Sequence, residues 1–418
     1  MKKNNKNRSH VTVIGAGIIG ISCAVNLIRD GHTVTVVDRI APGEGCSKGN
    51  AGVFSNDYFV PLSIPGMLTQ VPRWLFDPLG PLSIRLNHLP EFLPWLIQFL
   101  RAGFPKRVEE ICNALEPLLM SSLEEHQTLA KGTKAESLIS NQGCLYVYEN
   151  EKILSRDSTS WKLRISRGTK FETLNAGEIR EREPDLAPIY NIGYFLSDIG
   201  HTVEPMLLVK GLAEFFKKSG GVILQREVKD ILADPDGPKK LITDQGILDV
   251  DILVISAGAF SNHLSSMLGS PVPLQGERGY HATIANSGMK LNSPVIVSNH
   301  KFIATPMSTG IRLAGTAEYG GLNAKPNYAR SKVLIKHAKK MLPGINTSDI
   351  TEWSGLRPTL PDSLPVIGPS PHLPNLFFAF GHQHIGLTAG PKTGRLIADL
   401  VAKRTPNMDL YPFRANRF

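Results

Sequence analysis

Residues 10–39, HVTVIGAGIIGISCAVNLIRDGHTVTVVDR, constrain the fold more than any other stretch of the chain. They read as strand, glycine turn, helix, strand and a terminal acid. Val11, Val13 and Ile14 are β-formers that run into Gly15-Ala-Gly-Ile-Ile-Gly20. In such a GxGxxG turn the first glycine permits the tight bend. The second lets backbone N–H groups approach a pyrophosphate, and the third lets the helix lie close to the strand. The helix from Ile18 then points its positive end at the phosphates. Gly31 stops it, and the next strand ends at Asp38, placed to accept hydrogen bonds from a ribose diol. An acid there disfavours a 2′-phosphate, so the expected ligand is FAD or NAD rather than NADP. A plain βαβ unit would need neither three glycines nor the acid.

At 418 residues the chain exceeds one simple core, and two domains are expected. Hydrophobic residues at 42% with 20% charged place it among folded globular chains. Part of the net charge of +9 sits in the polar tail MKKNNKNRSH, which is expected to be disordered. The rest suits an anionic substrate or an anionic membrane surface. No basic cluster with interleaved aromatics supports a nucleic-acid role. Cys23, Cys46, Cys112 and Cys144 show neither CxxC nor regular spacing. That argues against zinc and a disulfide framework and suits a reducing cytosol. Cys23, in the first helix, reads as a packed apolar residue. No signal peptide is read before the first strand. No apolar run reaches the roughly 18 residues of a spanning helix.

After Asp38 comes a loop of small residues, 40–55. Residues 61–104 are apolar, proline-punctuated and rich in Trp and Phe. Within them LPEFLPWLIQFLRAGFPKR has a strong apolar face and a basic end. A helix packed on the body of the protein is one reading, and an interfacial helix on a membrane is the other. Residues 108–131 read as one amphipathic helix. Strands are expected at 143–148, at 222–224 continuing through 227–232, and as a pair within 247–256. Helices are expected at 178–183, 207–219, 328–342 and 390–402. From 272 to 320 the segments YHATI, PVIVS, KFIATPM and IRLAGTAEY alternate like antiparallel strands, forming a sheet distinct from the parallel one.

A nicotinamide enzyme would continue βαβαβ after Asp38. This chain returns to the parallel sheet only near 207–258 and at 376–402, which suits a large cofactor such as FAD. The motifs VIGAGIIG with Asp38, GEGCSKGNAG (43–52), PRWLFDPLGPLSIR (72–85), GERGYHATI (276–284), AGTAEYGG (314–321), GLRPTLPDSLPVIG (355–368), GHQHIGLTAGPKTGRLIADL (381–400) and the terminal PFRANRF carry a resemblance. On them the chain resembles the FAD-dependent D-amino-acid oxidase and glycine oxidase superfamily, and within it the bacterial D-amino-acid dehydrogenase small-subunit type. The resemblance spans residues 10–418.

It implies an α/β fold, α+β overall: a Rossmann-like FAD-binding domain with an inserted antiparallel-sheet substrate domain. The first is expected from 1–60, 186–270 and 345–418, the second from 61–185 and 271–344. FAD is expected to be non-covalent, since no His occupies the 43–52 loop. The implied cofactor contacts begin with Gly15, Gly17, Ile18, Ile19 and Gly20, followed by Asp38 and Arg39. Cys46, Ser47, Gly49, Asn50, Ala51 and Gly52 would wrap the pyrophosphate and ring edge, small residues letting amides reach the ligand. Cys46 stands where the family more often has Thr, a weak thiol in place of a hydroxyl. The Val228 backbone would meet the adenine, and Ala257 and Gly258 form a second turn near the cofactor. Gly381, His382, Ile385, Gly386, Leu387 and Thr388 would meet the flavin pyrimidine end. A helix N-terminus there favours negative charge on the reduced ring.

A planar guanidinium grips a carboxylate through two hydrogen bonds, and the resemblance implies that role for Arg357 in GLRP. A structural Arg bonding loop carbonyls is the alternative. Tyr280, bonding the carboxylate or capping the site, and His384, lining the pocket, complete the candidate catalytic set. Core packing is the alternative for Tyr280. His281, Thr305 and Tyr319 are weaker lining candidates, His382 reads as structural, and Arg278 as a surface or interdomain charge. The expected reaction is hydride transfer from Cα of the free-amine substrate to flavin N5, the imino acid then hydrolysing to a 2-oxo acid and ammonia. Three readings stay open. One is a dehydrogenase of D-amino acids or cyclic imino acids, passing electrons to a quinone or an electron-transfer protein, with 61–104 in peripheral contact with a membrane. The second is an oxygen-using oxidase on glycine, sarcosine or a cyclic imino acid. The third is a flavoprotein subunit of an electron-transfer complex, against which Arg357 argues. The expected location is cytoplasmic, peripheral on the inner face of the cell membrane under the first reading.

Overall fold

The computed structural model describes residues 9–65, 80 and 82–418. The tail 1–8, and residues 66–79 and 81 with most of the PRWLFDPLGPLSIR motif, lie outside the described residues.

A sheet runs in the order Val222–Gln225, Thr33–Asp38, His10–Ile14, Ile252–Ile255, Leu376–Phe380, all parallel, with Val366–Pro369 antiparallel at its edge. Its central strands are apolar on both faces because both faces are covered. Helices Ile18–Arg29, Pro205–Lys218 and Gly386–Val401 cover one, over Val11, Val13, Val34 and Val36. The other lies under helix Ser261–Met267 and a meander of Val228–Asp234, Gly237–Thr243 and Gly246–Asp249, over Ile14, Val37, Leu253 and Ile255.

That meander corrects one expectation. Residues 227–232 do not continue the strand at 222. The chain turns at Arg226, whose N–H donates to Asp38 O at 2.9 Å, and Val228–Asp234 pairs antiparallel with Gly237–Thr243. Of its residues only Ile231 is buried, so it suits a covering hairpin and not a sheet interior.

A second sheet runs Asp349–Thr359, Gln275–Ala285, Gly310–Tyr319, Phe302–Met307, Val295–Val297, Cys144–Tyr148, Ile192–Leu196, Glu172–Asn175, with Leu82–Ile84 pairing Gly310–Tyr319. The expected alternating strands across 272–320 are all in it. Asp349–Thr359 and Ile192–Leu196 fall in segments that the sequence reading gave to the FAD-binding part, yet both hydrogen-bond here. Asp349–Thr359 matches Gln275–Ala285 residue for residue over its 11 residues.

Helix boundaries differ in two places. Residues 108–131 form two helices, Pro105–Leu119 and Ser122–Ala130, because Ser121 leaves helical dihedrals at φ −107° and ψ 24°. The last long helix begins at Gly386, not Gly390. Pro391 suggests a helix start from sequence, but it lies inside the helix and lacks the N–H that would bond the Leu387 carbonyl. His126 Nε2 fills that vacancy, donating to Leu387 O at 2.7 Å while its ring stacks on Phe54 at 3.9 Å. Burial lowers His126 to about 4, so the ring is neutral.

Helix Leu89–Ala102 packs Phe92, Trp95, Leu96 and Phe99 against Ile84 and Tyr319. No helix among the described residues is long and apolar enough to cross a membrane. All four cysteines are free, and burial pushes the Cys23 thiol up to about 12.

Candidate active site

The glycine turn is built by backbone contact. Gly15 has φ +110°, and its N–H donates to Val37 O at 2.9 Å. A Cβ on Gly20 would stand 1.8 Å from the Gly15 carbonyl oxygen, so only glycine seats the helix here. Asp38 closes the turn: Oδ2 accepts the Ala16 N–H at 2.6 Å and Oδ1 the Ile40 N–H at 3.1 Å.

Beside this turn lies a cavity of about 480 Å³. Its wall holds Gly15, Gly17, Ile18, Ile19, Asp38, Arg39, Cys46, Ser47, Asn50, Val228, Ala257, Gly258, Gly381, His382, Gly386 and Leu387, drawn from segments far apart in the chain. Ser47 Oγ accepts the Ile18 N–H at 3.0 Å, and the Arg39 guanidinium lies 4.0 Å from the Phe260 ring. Six expected contacts are not on this wall: Gly49, Ala51, Ile385 and Thr388 line a neighbouring cavity, and Gly20 and Gly52 line neither. Gly20 lies beneath the turn. Gly52 shapes the loop instead, its N–H on Asn50 Oδ1 at 2.8 Å and its carbonyl accepting from Thr202 at 2.7 Å. The residues present fit a dinucleotide: a turn without a side chain at Gly17, an acid at the strand end, and two helix N-termini, at Ile18 and Gly386, on one wall.

A second cavity, of about 470 Å³, shares Cys46, Asn50, Trp353, Gly355 and Gln383 with the first. Gly49, Ala51, Ile385 and Thr388 line it, with Arg357, His384, Glu277 and Tyr319. Strand register explains the grouping. Glu277 pairs Arg357, Gly279 pairs Gly355 and His281 pairs Trp353, so these side chains share one face. The guanidinium lies over Gly279, where a Cβ would come within 2.4 Å of its carbon.

Glu277 is the hub. It accepts from Arg357 Nη1 at 2.7 Å, His384 Nε2 at 2.9 Å, the Tyr319 hydroxyl at 3.1 Å and Thr359 Oγ1 at 3.3 Å. Its side chain is 1% exposed. Burial alone would raise its carboxyl, but His384 and Arg357 outweigh that and hold it well below the usual carboxylate range. The sequence reading passed over Glu277. An acid inside a buried apolar strand is a signal that it is paired, but its partner is visible only once the strands are in register.

Tyr280 does not join this group. One residue on from Gly279, it points to the opposite face of the strand. Its hydroxyl donates to Glu318 and accepts the Asn327 N–H at 2.8 Å, and Glu318 pairs with Arg85 at 2.7 Å. Its ring touches the cavity wall; its hydroxyl is spent elsewhere. The phenol that meets the cluster is Tyr319. Thr305 is buried and absent from both walls. Arg278, expected as a surface or interdomain charge, is buried and lies on the wall of the first cavity, with Nη2 on Ala324 O at 2.7 Å. His281 stacks on Trp353 at 5.2 Å and its Nδ1 donates to Gly49 O at 3.1 Å; burial lowers it to about 4. His382, buried and lowered to about 3, bonds Thr393 Oγ1 at 3.0 Å. Burial pushes the Cys46 thiol up to about 11, so it is no thiolate. Arg312, also unflagged by sequence, donates from Nη1 to Lys48 O at 3.3 Å and Asn50 O at 2.9 Å, fastening the 46–52 loop.

Residues 10–400 match the model of the family described as FAD dependent oxidoreductase (DAO). A D-amino-acid oxidase of Bradyrhizobium diazoefficiens is 37% identical over 416 residues, covering 98% of this chain and 99% of that one. A D-amino acid dehydrogenase of Vibrio cholerae is 30% identical over 402 residues, covering 94% of each. Among solved structures, glycine oxidase from Geobacillus kaustophilus shares the fold with a TM-score of 0.75 at 24% identity, covering 99% of this chain and 100% of that one. The FAD and the mixed α/β architecture expected from the motifs follow from the same matches: the chain belongs to the FAD-dependent oxidoreductases of the DAO family.

Proposed function

We propose that this enzyme oxidises a D-amino acid, or a cyclic imino acid, at its α-carbon, with Arg357 holding the substrate carboxylate. The observation that carries this reading is the Arg357–Glu277 pair on the wall of the second cavity. Glu277 engages Nη1, which also reaches Thr316 O at 3.5 Å, and fixes the guanidinium plane, leaving Nη2 and Nε for a carboxylate. The names of the relatives, D-amino-acid oxidase and D-amino acid dehydrogenase, support the substrate class. FAD, held by the residues of the first cavity, would supply the hydride-accepting redox chemistry. Phe92, Trp95 and Phe99 form an apolar wall that keeps water from the site. The first turn of helix Gly386–Val401 offers unpaired N–H groups to developing negative charge. With the amine bound neutral, no wall side chain has to remove a proton.

The test is anaerobic bleaching of the bound flavin with D- and L-amino acids, glycine, sarcosine and prolines. Fast bleaching by D-amino acids is expected, and Arg357→Ala is expected to slow it at least about a hundredfold. If no amine bleached the flavin, the electron-transfer subunit would be the better reading. Unchanged bleaching in Arg357→Ala would remove the carboxylate assignment.

Electrons pass, in this proposal, to a quinone or an electron-transfer partner at a membrane surface. Leu93 (49% exposed), Ile97 (44%) and Phe104 (60%) support that contact. They lie on and just beyond helix Leu89–Ala102, next to Arg101, Lys106 and Arg107. Co-sedimentation with anionic phospholipid vesicles that Leu93→Glu weakens is the expected result; no co-sedimentation would discard the membrane contact. The 37% identical relative named an oxidase favours oxygen as the alternative acceptor. Stoichiometric peroxide during turnover in air would decide for it.

A further inference from the structure

The second cavity carries a second guanidinium. It extends past Tyr58 to helix Ser158–Ser166, where Ser160 and Arg164, one turn apart on one face, line its wall beside the Lys301–Asp157 ion pair at 2.9 Å. Arg164 is 9% exposed. It is held from behind: Nε donates to Asp57 Oδ2 at 3.0 Å, and that oxygen also accepts the Tyr146 hydroxyl at 2.6 Å. Asp57 is buried and not part of the wall. The Trp161 ring lies 5.0 Å from the guanidinium carbon and confines it further.

This repeats the arrangement of Arg357. In both, a buried acid takes one nitrogen of a guanidinium that reaches the same cavity. Other buried arginines give at least one terminal nitrogen to a backbone carbonyl, Arg417 while also pairing with Asp362, and Arg357 Nη1 itself reaches Thr316 O at 3.5 Å. Arg312 bonds Lys48 O and Asn50 O, and Arg417 bonds Arg414 O and Leu364 O. Arg164 is tied through Nε, and no carbonyl among the described residues takes its terminal fork. Tyr58, on the wall of the same cavity, feels both groups. Burial and then Asp57 push its phenol up, while Arg164 and Arg357 both act against that. Burial alone would lower Arg164, but Tyr146 and Asp57 keep it firmly protonated.

We propose that Arg164 is a substrate-binding residue for a second anionic group, so that the preferred substrates are dicarboxylic amino acids held at the α-carboxylate by Arg357 and at the side-chain carboxylate by Arg164. This rests on the reading of Arg357 given above. It also gives a use to the basic balance of the chain, +9 overall.

The test compares isosteres on the FAD-loaded enzyme: D-glutamate against D-glutamine, and D-aspartate against D-asparagine, by anaerobic flavin reduction and kcat/KM. At least one acid is expected to exceed its amide by about tenfold or more, the worth of one charge-assisted hydrogen bond. Arg164→Leu is expected to bring that ratio to about one. Arg164→Lys, which keeps the charge without the fork, should fall between. Amides oxidised as fast as acids by the wild type would overturn the proposal and leave the amino-acid reading intact. Reduction by no amino acid would instead defeat the reading beneath it. An acid-to-amide ratio unchanged in Arg164→Leu, with flavin retained, would show Arg164 to be structural. Should Arg164→Leu lose its flavin, the wild-type ratio and Arg164→Lys decide: a lysine variant with the full wild-type ratio would count against the fork.

Discussion

Glu277→Gln is the perturbation that most directly questions the site. Four donors converge on the carboxylate at 2.7 to 3.3 Å. A glutamine offers one acceptor oxygen and an NH₂ group. With the oxygen toward Arg357 and His384, the NH₂ must find hydroxyls that rotate to accept, which Tyr319 and Thr359 can do. The hydrogen bonds are therefore partly rescued; the charge pairing is not. Removing one partner of a buried pair costs about 3–5 kcal/mol, and Arg357, at 19% exposed, puts the expectation near the lower end, about 3 kcal/mol. For a chain of this size that is roughly a 3 °C fall in melting temperature. The pH dependence carries a sign. A carboxyl held below its ordinary value stabilises the fold above about pH 4.3 and loses that contribution as pH falls toward the folded value. The gap between wild type and Glu277→Gln should therefore be widest near neutrality. By pH 3.5 it should have narrowed by about 1 kcal/mol. The assay is denaturant unfolding of both holoenzymes from pH 7 to pH 3.5, followed by flavin and by far-UV signals. A gap that stays constant over that range, or no gap at pH 7, would refute the charged hub.

Asp38→Asn loses the charge behind the 2.6 Å bond to Ala16, and FAD affinity should fall about 10- to 100-fold, measurable by fluorescence titration. Arg312→Gln frees the Lys48 and Asn50 carbonyls; faster FAD dissociation with little change in secondary structure is expected from stopped-flow release and circular dichroism. Gly20→Ala puts a methyl 1.8 Å from a backbone oxygen, and purified protein should carry no flavin; normal flavin content would contradict the geometry. The rate of flavin reduction should rise with pH through the substrate amine pKa, and a flat profile would show that a protein group takes the proton.

The parallel half of the fold was legible because its signals are local. Gly20 and Asp38 act within one βαβ unit, and the Gly15 carbonyl that Gly20 must clear lies in the same segment; the Ser256 carbonyl that Gly15 makes room for, 2.3 Å from where a Cβ would stand, lies far away in the chain. The ends of helices were less legible for a physical reason. Pro391 marks a helix start in sequence, and only a histidine 265 positions earlier in the chain lets the helix begin a turn sooner by taking the Leu387 carbonyl. The face of the second cavity was legible by type and not by membership. Tyr280 and Tyr319 are equivalent tyrosines in sequence, and the bulge between Gly279 and Tyr280 with pairing to Gly310–Tyr319 decides which face each occupies. Glu277 needed that register as well.

Two guanidiniums facing one cavity, each paired with an acid, raise the question of why a cavity proposed to hold anions contains acids at all. A lone guanidinium at such depth would lose its hydration with nothing in return, and the fold would bear several kcal/mol for it. A paired acid, on the wall itself at Glu277 and behind it at Asp57, removes that cost and leaves the pair close to neutral. It also weakens the pull on an incoming carboxylate, so the acid exchanges affinity for placement. What the pair gains is a guanidinium that does not reorient when substrate arrives, and orientation at the α-carbon is what a hydride transfer requires. The arrangement has a consequence for mutants. Weakening Glu277 should lower stability and kcat together while KM moves little or even falls, because the freed charge binds anions better and aims them worse. A variant with raised KM and unchanged kcat would mean that Glu277 tunes affinity and that Arg357 is aimed by something else.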